Sequence, residues 1–408
     1  FGSYGVDQSI ALELGTTLDE TSIRLRARVA GMRPLIFKDC PWAHMSPASA
    51  WFSDCRDRFV IAQSPEGTPP NNWESIFGGP AWTYIGNNEW MLSLFAVGEQ
   101  GSLDWRKREV QQCFEDLLVY YRQTLGIDMG RLDAFAYTTV PDLSLDYEPH
   151  IHGDFADFLQ NPVEVIEHLD RLYAALEAKG LADGFKFLVE WCGNIEQIVK
   201  NYLPQRQWLV PMNFGILDRL MVGKDRALAL PGHFSFPQFR DEYLRLGPVV
   251  DHFAFPPATH DTSRFVRMYG GESRSPRIPQ EKAELDVLAK SGLLAYLVLP
   301  HRDIVINGGE EFGTANYSID SKYFEDFPKH VRDAETLKMI SLWTEAGISF
   351  EQMKHYASCW SRDMGRSPIS LNADRETQGG LIEDPWLLPT GDYALGYSIK
   401  EQQSDPLS

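Results

Sequence analysis

The sequence predicts an α/β protein whose body is a (β/α)8 TIM barrel with an irregular subdomain inserted after one of its strands. Three observations lead there. The chain has 408 residues, 43% of them hydrophobic, which is enough to bury a large core in one big α/β domain with an insertion, or in two domains. Several short apolar runs each end at a polar or acidic residue, with helical patterns between them. One long stretch breaks that alternation and is built from turn-forming residues.

In chain order, Leu35 to Phe37 is the first apolar run, and it precedes Asp39. From about His44 to Trp105 the chain is rich in Pro, Gly, Asn and Trp, as in Pro69-Pro70-Asn71-Asn72-Trp73, so turns dominate and an inserted subdomain is expected over 44–105. Residues 1–43 then form the start of the barrel and 106–408 its remainder. Glu109 to Gln123 carries Val110, Phe114, Leu117, Leu118 and Tyr121 at three- and four-residue steps, and Pro162 to Ala178 repeats the pattern, so both are expected helices. Gly130 to Leu132 runs into Asp133, Phe185 to Val189 into Glu190, Val249 to Phe255 toward His260-Asp261, and Ile304 to Ile306 toward Glu310. Strands alternating with helices imply a parallel sheet, and acids just past several strand ends imply one shared rim.

The formal net charge of −19 repels phosphate backbones and anionic lipid surfaces, so a neutral ligand is expected and neither nucleic acid nor membrane. Aromatic residues make up 12% of the chain, with 11 Trp. Flat rings stack on sugar faces, but large cores use them too. The five cysteines are odd in number and contain no CxxC pair, which favours a reducing, cytoplasmic setting and no metal. No run approaches the roughly 18 to 20 apolar residues of a membrane span. The chain opens on Phe1 rather than Met, as a processed or excised piece would.

Cleaving a glycosidic bond with retention needs one carboxylate to attack the anomeric carbon and a second to protonate the leaving oxygen, about 5 to 5.5 Å away. Asp133 and Glu190, at separate strand ends, are candidates. Arg131 lies two residues before Asp133, so on a strand its guanidinium faces the same side and favours the ionised carboxylate a nucleophile needs. A buried structural Arg–Asp pair fits the same spacing. His260-Asp261 offers a donor and an acceptor for sugar hydroxyls, or equally a satisfied loop pair. Asp39 and His44 suit the same rim or the capping of a turn.

Together and in this order, these residues resemble the motif set of the α-amylase superfamily of glycoside hydrolases, and most its α-glucosidase and oligo-1,6-glucosidase branch. Asp39-Cys40-Pro41-Trp42-Ala43-His44 is similar to its first conserved region, Gly130-Arg131-Leu132-Asp133-Ala134-Phe135 to its second, Val189-Glu190 to its third and Thr259-His260-Asp261 to its fourth. Phe77-Gly78-Gly79-Pro80-Ala81-Trp82, Gln100 to Trp105, Gly309 to Gly313 and Ser361-Arg362-Asp363-Met364-Gly365-Arg366-Ser367-Pro368 add branch-specific matches. The resemblance implies that Asp133 attacks, Glu190 serves as acid and base, and Asp261 binds the distorting sugar. It implies that His44, Arg131 and His260 line the subsite of the attacked glucose, that Asp7 and Arg362 grip the non-reducing end, and that Asp39 is structural. No cofactor is implied, and an exo-acting α-glucosidase is the expected activity. Ala134 after the nucleophile hints at α-1,4 links.

The same resemblance places Phe1 just after the second barrel strand and Ser408 where a C-terminal β domain would begin, so a barrel incomplete at its N-terminus is expected. Ala43 stands in place of the family's Asn, Val6 in place of an aromatic, and His301-Arg302-Asp303 in place of a Gly-Thr-Pro turn. A transglucosidase or sucrose or maltose isomerase of the same fold, and a catalytically silent relative acting as a binding subunit, are the alternatives.

Overall fold

The computed structural model describes residues 35, 37–191, 203–214, 236–265, 279–298, 303–307, 310, 313–314, 316–317, 321–373, 387–388, 390 and 398–402. Val6, Asp7, His301 and Arg302 lie outside them. The chain divides into two compact units, 1–212 and 213–408.

In the first unit, β1 (Phe37–Cys40), β7 (Met129–Leu132), β8 (Lys186–Glu190) and β9 (Leu209–Met212) pair side by side and parallel, in that order. Gly130, Arg131 and Leu132 of β7 and Phe187, Leu188 and Val189 of β8 are buried, as strands covered on both faces must be. Between β1 and β7 the chain makes five short strands: β2 (His44–Met45), β3 (Ile61–Gln63), β4 (Trp82–Gly86), β5 (Glu89–Leu92) and β6 (Gly101–Ser102). These pair antiparallel, β2 with β6 and β3 with β5 and β4 in the order β3-β5-β4. Helix α1 (Arg108–Thr124) buries Val110, Phe114, Leu118 and Tyr121, one stripe at helical spacing. Helix α2 (Pro162–Glu177) packs against it. It starts where Asn161 accepts from the backbone N–H groups of Val163 and Glu164, with Pro162 in the first turn.

The Pro- and Trp-rich segment folds as a second core inside this unit. Trp73, Trp82, Trp90 and Phe95 cluster with Ala134, Tyr137 and Val140 from the far side of β7. Its polar atoms stitch it to the loop that follows β7. Asn71 Nδ2 donates to the Leu143 carbonyl at 3.0 Å, Trp73 Nε1 to the Leu145 carbonyl at 2.8 Å, and Asn72 Nδ2 to the Tyr147 carbonyl at 3.0 Å.

In the second unit, helix α3 (Phe236–Leu246) leads to β10 (Ala254–Phe255), helix α4 (Pro279–Val298) to β11 (Asp303–Ile304), and β10 and β11 pair parallel. Helices α5 (Ala334–Glu345), α6 (Phe350–Trp360) and α7 (Arg362–Arg366) follow. Their core holds Tyr323, Phe324, Phe327, Met339, Trp343, Met353 and Met364. Buried Arg264 ties its start to its end, donating to the Met364 and Ser367 carbonyls at 3.0 and 2.8 Å and facing buried Glu310 at 3.6 Å.

The alternation of parallel strands and helices is that of a (β/α) barrel, with four such strands described in the first unit and two in the second. Two points differ from the expectation in detail. Strand β9 was not anticipated, because Pro211 breaks its apolar run in the sequence. The run from Val249 to Phe255 is mostly a 3-10 turn over Gly247–His252, and the strand is only its last two residues. Among the described residues no helix is long and apolar enough to cross a membrane.

Candidate active site

Strand register brings the first group together. Asp39 on β1 lies across from Arg131 on β7, and Arg131 lies across from Leu188 on β8. Register partners share a face, as do residues two apart on one strand, so Asp39, Arg131, Asp133 and Glu190 all project to one side. There Arg131 Nη1 donates to Asp39 Oδ1 at 2.9 Å and to Asp133 Oδ1, while Nη2 donates to Glu190 Oε2. Arg131 is buried, whereas Asp133 and Glu190 are half-buried and Asp39 more open. Burial pushes the guanidinium's pKa down, but Glu190, Asp133 and Asp39 outweigh it and hold Arg131 above its usual value.

The chain after Asp133 is bent to serve the same site. Ala134 adopts a left-handed conformation, φ 45°, and opens a 3-10 turn over Phe135–Thr138. This turns its backbone N–H toward Glu190 Oε2, at 3.2 Å. A non-glycine residue in this region costs on the order of 1 kcal/mol. His44, on β2, is buried against Phe95 with ring centroids 4.9 Å apart, and its Nδ1 finds no hydrogen-bond partner among the described residues. Burial lowers its pKa, with the charge of Asp133 opposing, so the ring is neutral near pH 7.

The second group stands in the second unit. His260 Nε2 faces Asp261 Oδ2 at 3.1 Å, and Asp261 Oδ1 meets Arg362 Nη1 at 3.3 Å and Arg366 Nη2 at 2.7 Å. Arg362 Nη2 also pairs with Glu335 Oε2 at 2.9 Å. Burial pushes the Asp261 carboxyl up, but His260, Arg362 and Arg366 together hold it below its usual range. Burial raises the Glu335 carboxyl, against the pull of Arg362. Thr259 Oγ1 accepts from the Asp261 N–H at 3.1 Å and fixes the turn.

The sequence-derived candidates thus fall into two groups, Asp39, Arg131, Asp133 and Glu190 in one unit and His260, Asp261 and Arg362 in the other. His44 lies within electrostatic reach of Asp133. Sequence reasoning missed Arg366 and Glu335. Arg366 was visible inside the Ser-Arg-Asp motif, four residues after Arg362 and so on the same face of a short helix.

The sequence matches the catalytic domain of the alpha-amylase family over residues 7–408. The chain belongs to the α-amylase family. It carries that family's glycoside hydrolase domain, built as a (β/α) barrel. It is 26% identical to a probable oligo-1,6-glucosidase of Bacillus subtilis, over 93% of this chain and 66% of that protein. It is 25% identical to a trehalose-6-phosphate hydrolase of Escherichia coli, over 91% of this chain and 65% of that one. An isomaltulose synthase from Erwinia rhapontici, solved with sucrose, superposes with a TM-score of 0.78 at 20% identity, covering 95% of this chain and 67% of that one. The chain spans about two thirds of the length of these relatives. Relatives that are oligo-1,6-glucosidases accord with the branch its motifs resemble.

Proposed function

We propose that this chain is a retaining, exo-acting α-glucosidase that removes terminal α-linked glucose from maltose- or isomaltose-type oligosaccharides. The observation that carries the reading is the single Arg131 guanidinium held by both Asp133 and Glu190. Two carboxylates that meet one guanidinium are drawn close to each other, which favours the roughly 5 to 5.5 Å of double displacement over the wider spacing of an inverting site.

In this reading Asp133 attacks the anomeric carbon and Glu190 protonates the leaving oxygen, then deprotonates the water that frees glucose. One guanidinium among three carboxylates leaves an excess of two formal negative charges, which favours the positive charge that develops on the sugar ring. Asp261 binds the hydroxyls of the distorting sugar, and His44, His260, Arg362 and Asp7 hold the rest of the glucose. Asp39 acts by anchoring Arg131. Residues 44–105 form the inserted subdomain, with 1–43 and 106–408 as the barrel. No nucleic acid or membrane enters the reading. A cytoplasmic setting belongs to it, supported by Cys40, Cys55 and Cys113 being free thiols.

The test is turnover of 4-nitrophenyl α-glucoside, with Asp133→Asn as the control and the anomer of the first-formed glucose read by NMR. Release of α-glucose, abolished in the control, is expected; no turnover above the control, or β-glucose, sinks the proposal. A second reading, glucosyl transfer to a sugar instead of water, is favoured by the likeness to isomaltulose synthases. Isomeric disaccharides formed from sucrose would select it.

A further inference from the structure

We propose that Arg366 is a positioning residue that fixes the orientation of Asp261, an inference that rests on the α-glucosidase reading above. Its guanidinium donates through Nη2 to Asp261 Oδ1 at 2.7 Å and through Nε to the His260 carbonyl at 2.9 Å. One rigid planar fork therefore grips the side chain of one residue and the backbone of the residue before it, which sets the angle between them. Among the described residues Asp261 is the only carboxylate in an ion pair with Arg366. Arg362 approaches the same oxygen at 3.3 Å but is also committed to Glu335. The division of labour follows from those contacts. Arg362 can turn to a bound sugar because Arg366 keeps Asp261 in place.

The base from which Arg366 projects is rigid. Ser361 caps α7 by accepting from the Asp363 N–H at 3.3 Å, and the Asp363 carboxylate accepts from the Tyr323 hydroxyl at 2.6 Å and the Arg332 N–H at 2.7 Å. Gly365 lies directly on the turn that carries Asp261. A Cβ there would stand 2.3 Å from the Thr262 carbonyl oxygen and 2.7 Å from that of Thr259. Backbone against backbone leaves Arg366 no slack relative to its target.

The groups facing Asp261 are His260 from its own turn and Arg362 and Arg366 from α7. Glu335 lies behind Arg362, and Asp333 accepts from the Arg362 N–H at 3.2 Å. Removing Arg366 takes away the closest of the cations.

The experiment uses the full chain with Arg366→Gln and Arg366→Lys. Turnover of 4-nitrophenyl α-glucoside is measured beside a carbon-13 NMR titration of the Asp261 carboxyl, assigned with Asp261→Asn. Arg366→Gln is expected to lower kcat roughly 10- to 100-fold with KM changed less than about threefold, and to move the Asp261 titration to higher pH. Arg366→Lys is expected to keep the titration near wild type, because the charge remains, without restoring kcat, because an ammonium on a flexible stem does not hold the two acceptors at the fixed angle of the planar fork. Wild-type kcat in either variant overturns the proposal, as does an unmoved titration in Arg366→Gln. If that variant does not fold, Arg366→Lys carries the kcat test. If the wild type turns over no α-glucoside, the glucosidase reading fails and the titration still decides whether Arg366 governs Asp261.

Discussion

At Arg131 one guanidinium meets Asp39, Asp133 and Glu190 through its two terminal nitrogens. A lysine offers one point charge and cannot span three carboxylates. Arg131→Gln leaves Asp133 and Glu190 half-buried beside one another without that cation, which costs up to the roughly 3–5 kcal/mol of breaking a fully buried pair. It is expected to lower the unfolding free energy by that amount in urea titrations and to reduce α-glucosidase turnover at least ~1000-fold, about 4 kcal/mol of lost transition-state stabilisation. Ala134 makes a second test. Val is β-branched and tolerates the left-handed region worse than Ala. Ala134→Val is therefore expected to destabilise the chain by about 1–2 kcal/mol in the same titrations. The Arg131–Asp133 contact was legible in the sequence, since a strand's two-residue repeat puts both on one face. The left-handed turn at Ala134 was not, because nothing in Asp-Ala-Phe marks a positive φ.

At the scale of elements, helices were read more surely than strands. The stripes of α1 and α2 span four turns or more, and their bounds match the expected ones to within one residue. Strands of two to five residues give too few alternations to mark their ends, so β9 hid behind Pro211 and β10 shrank to two residues. The Trp-rich motif was readable as turns, but not which of its rings face a core. Trp73 and Trp82 prove to be buried, with their N–H groups bonded within the protein at 2.8 and 2.7 Å. Helix α7 carries the element-scale prediction. At Gly365 the backbone leaves no room for a methyl group. Gly365→Ala is expected to push α7 off the Thr259–Thr262 turn, costing about 1–3 kcal/mol and reducing turnover as Arg366 loses its target. Melting temperature and kcat measured on one preparation check both parts.

At the scale of the whole molecule, acid is expected to weaken the fold through a histidine that takes no part in the proposed reaction. His168 on α2 is buried beside Trp105, its Nδ1 3.2 Å from Thr138 Oγ1. Burial, helped by the charge of Arg171, lowers its pKa from the ordinary 6.5 to about 4. Between these values the unfolded chain binds a proton the folded chain refuses, so stability falls as pH drops from about 6.5 to 4 and is full above that window. The loss is at most about 3 kcal/mol. Urea titrations at pH 7 and 4.5 should show it, and His168→Gln should flatten the difference.

The hydrogen bonds between the tryptophan-rich segment and the loop after β7 join residues 72 to 75 positions apart in the chain. During synthesis on the ribosome, Asn71, Asn72 and Trp73 therefore emerge well before the carbonyls they will bind. Until about Tyr147 clears the exit tunnel, this segment lacks its partners and exposes indole rings to chaperones and proteases. The strand and loop that carry Asp133 thus act as the closing half of a clasp, and stalled nascent chains ending before and after that point should differ sharply in protease resistance over residues 69–95.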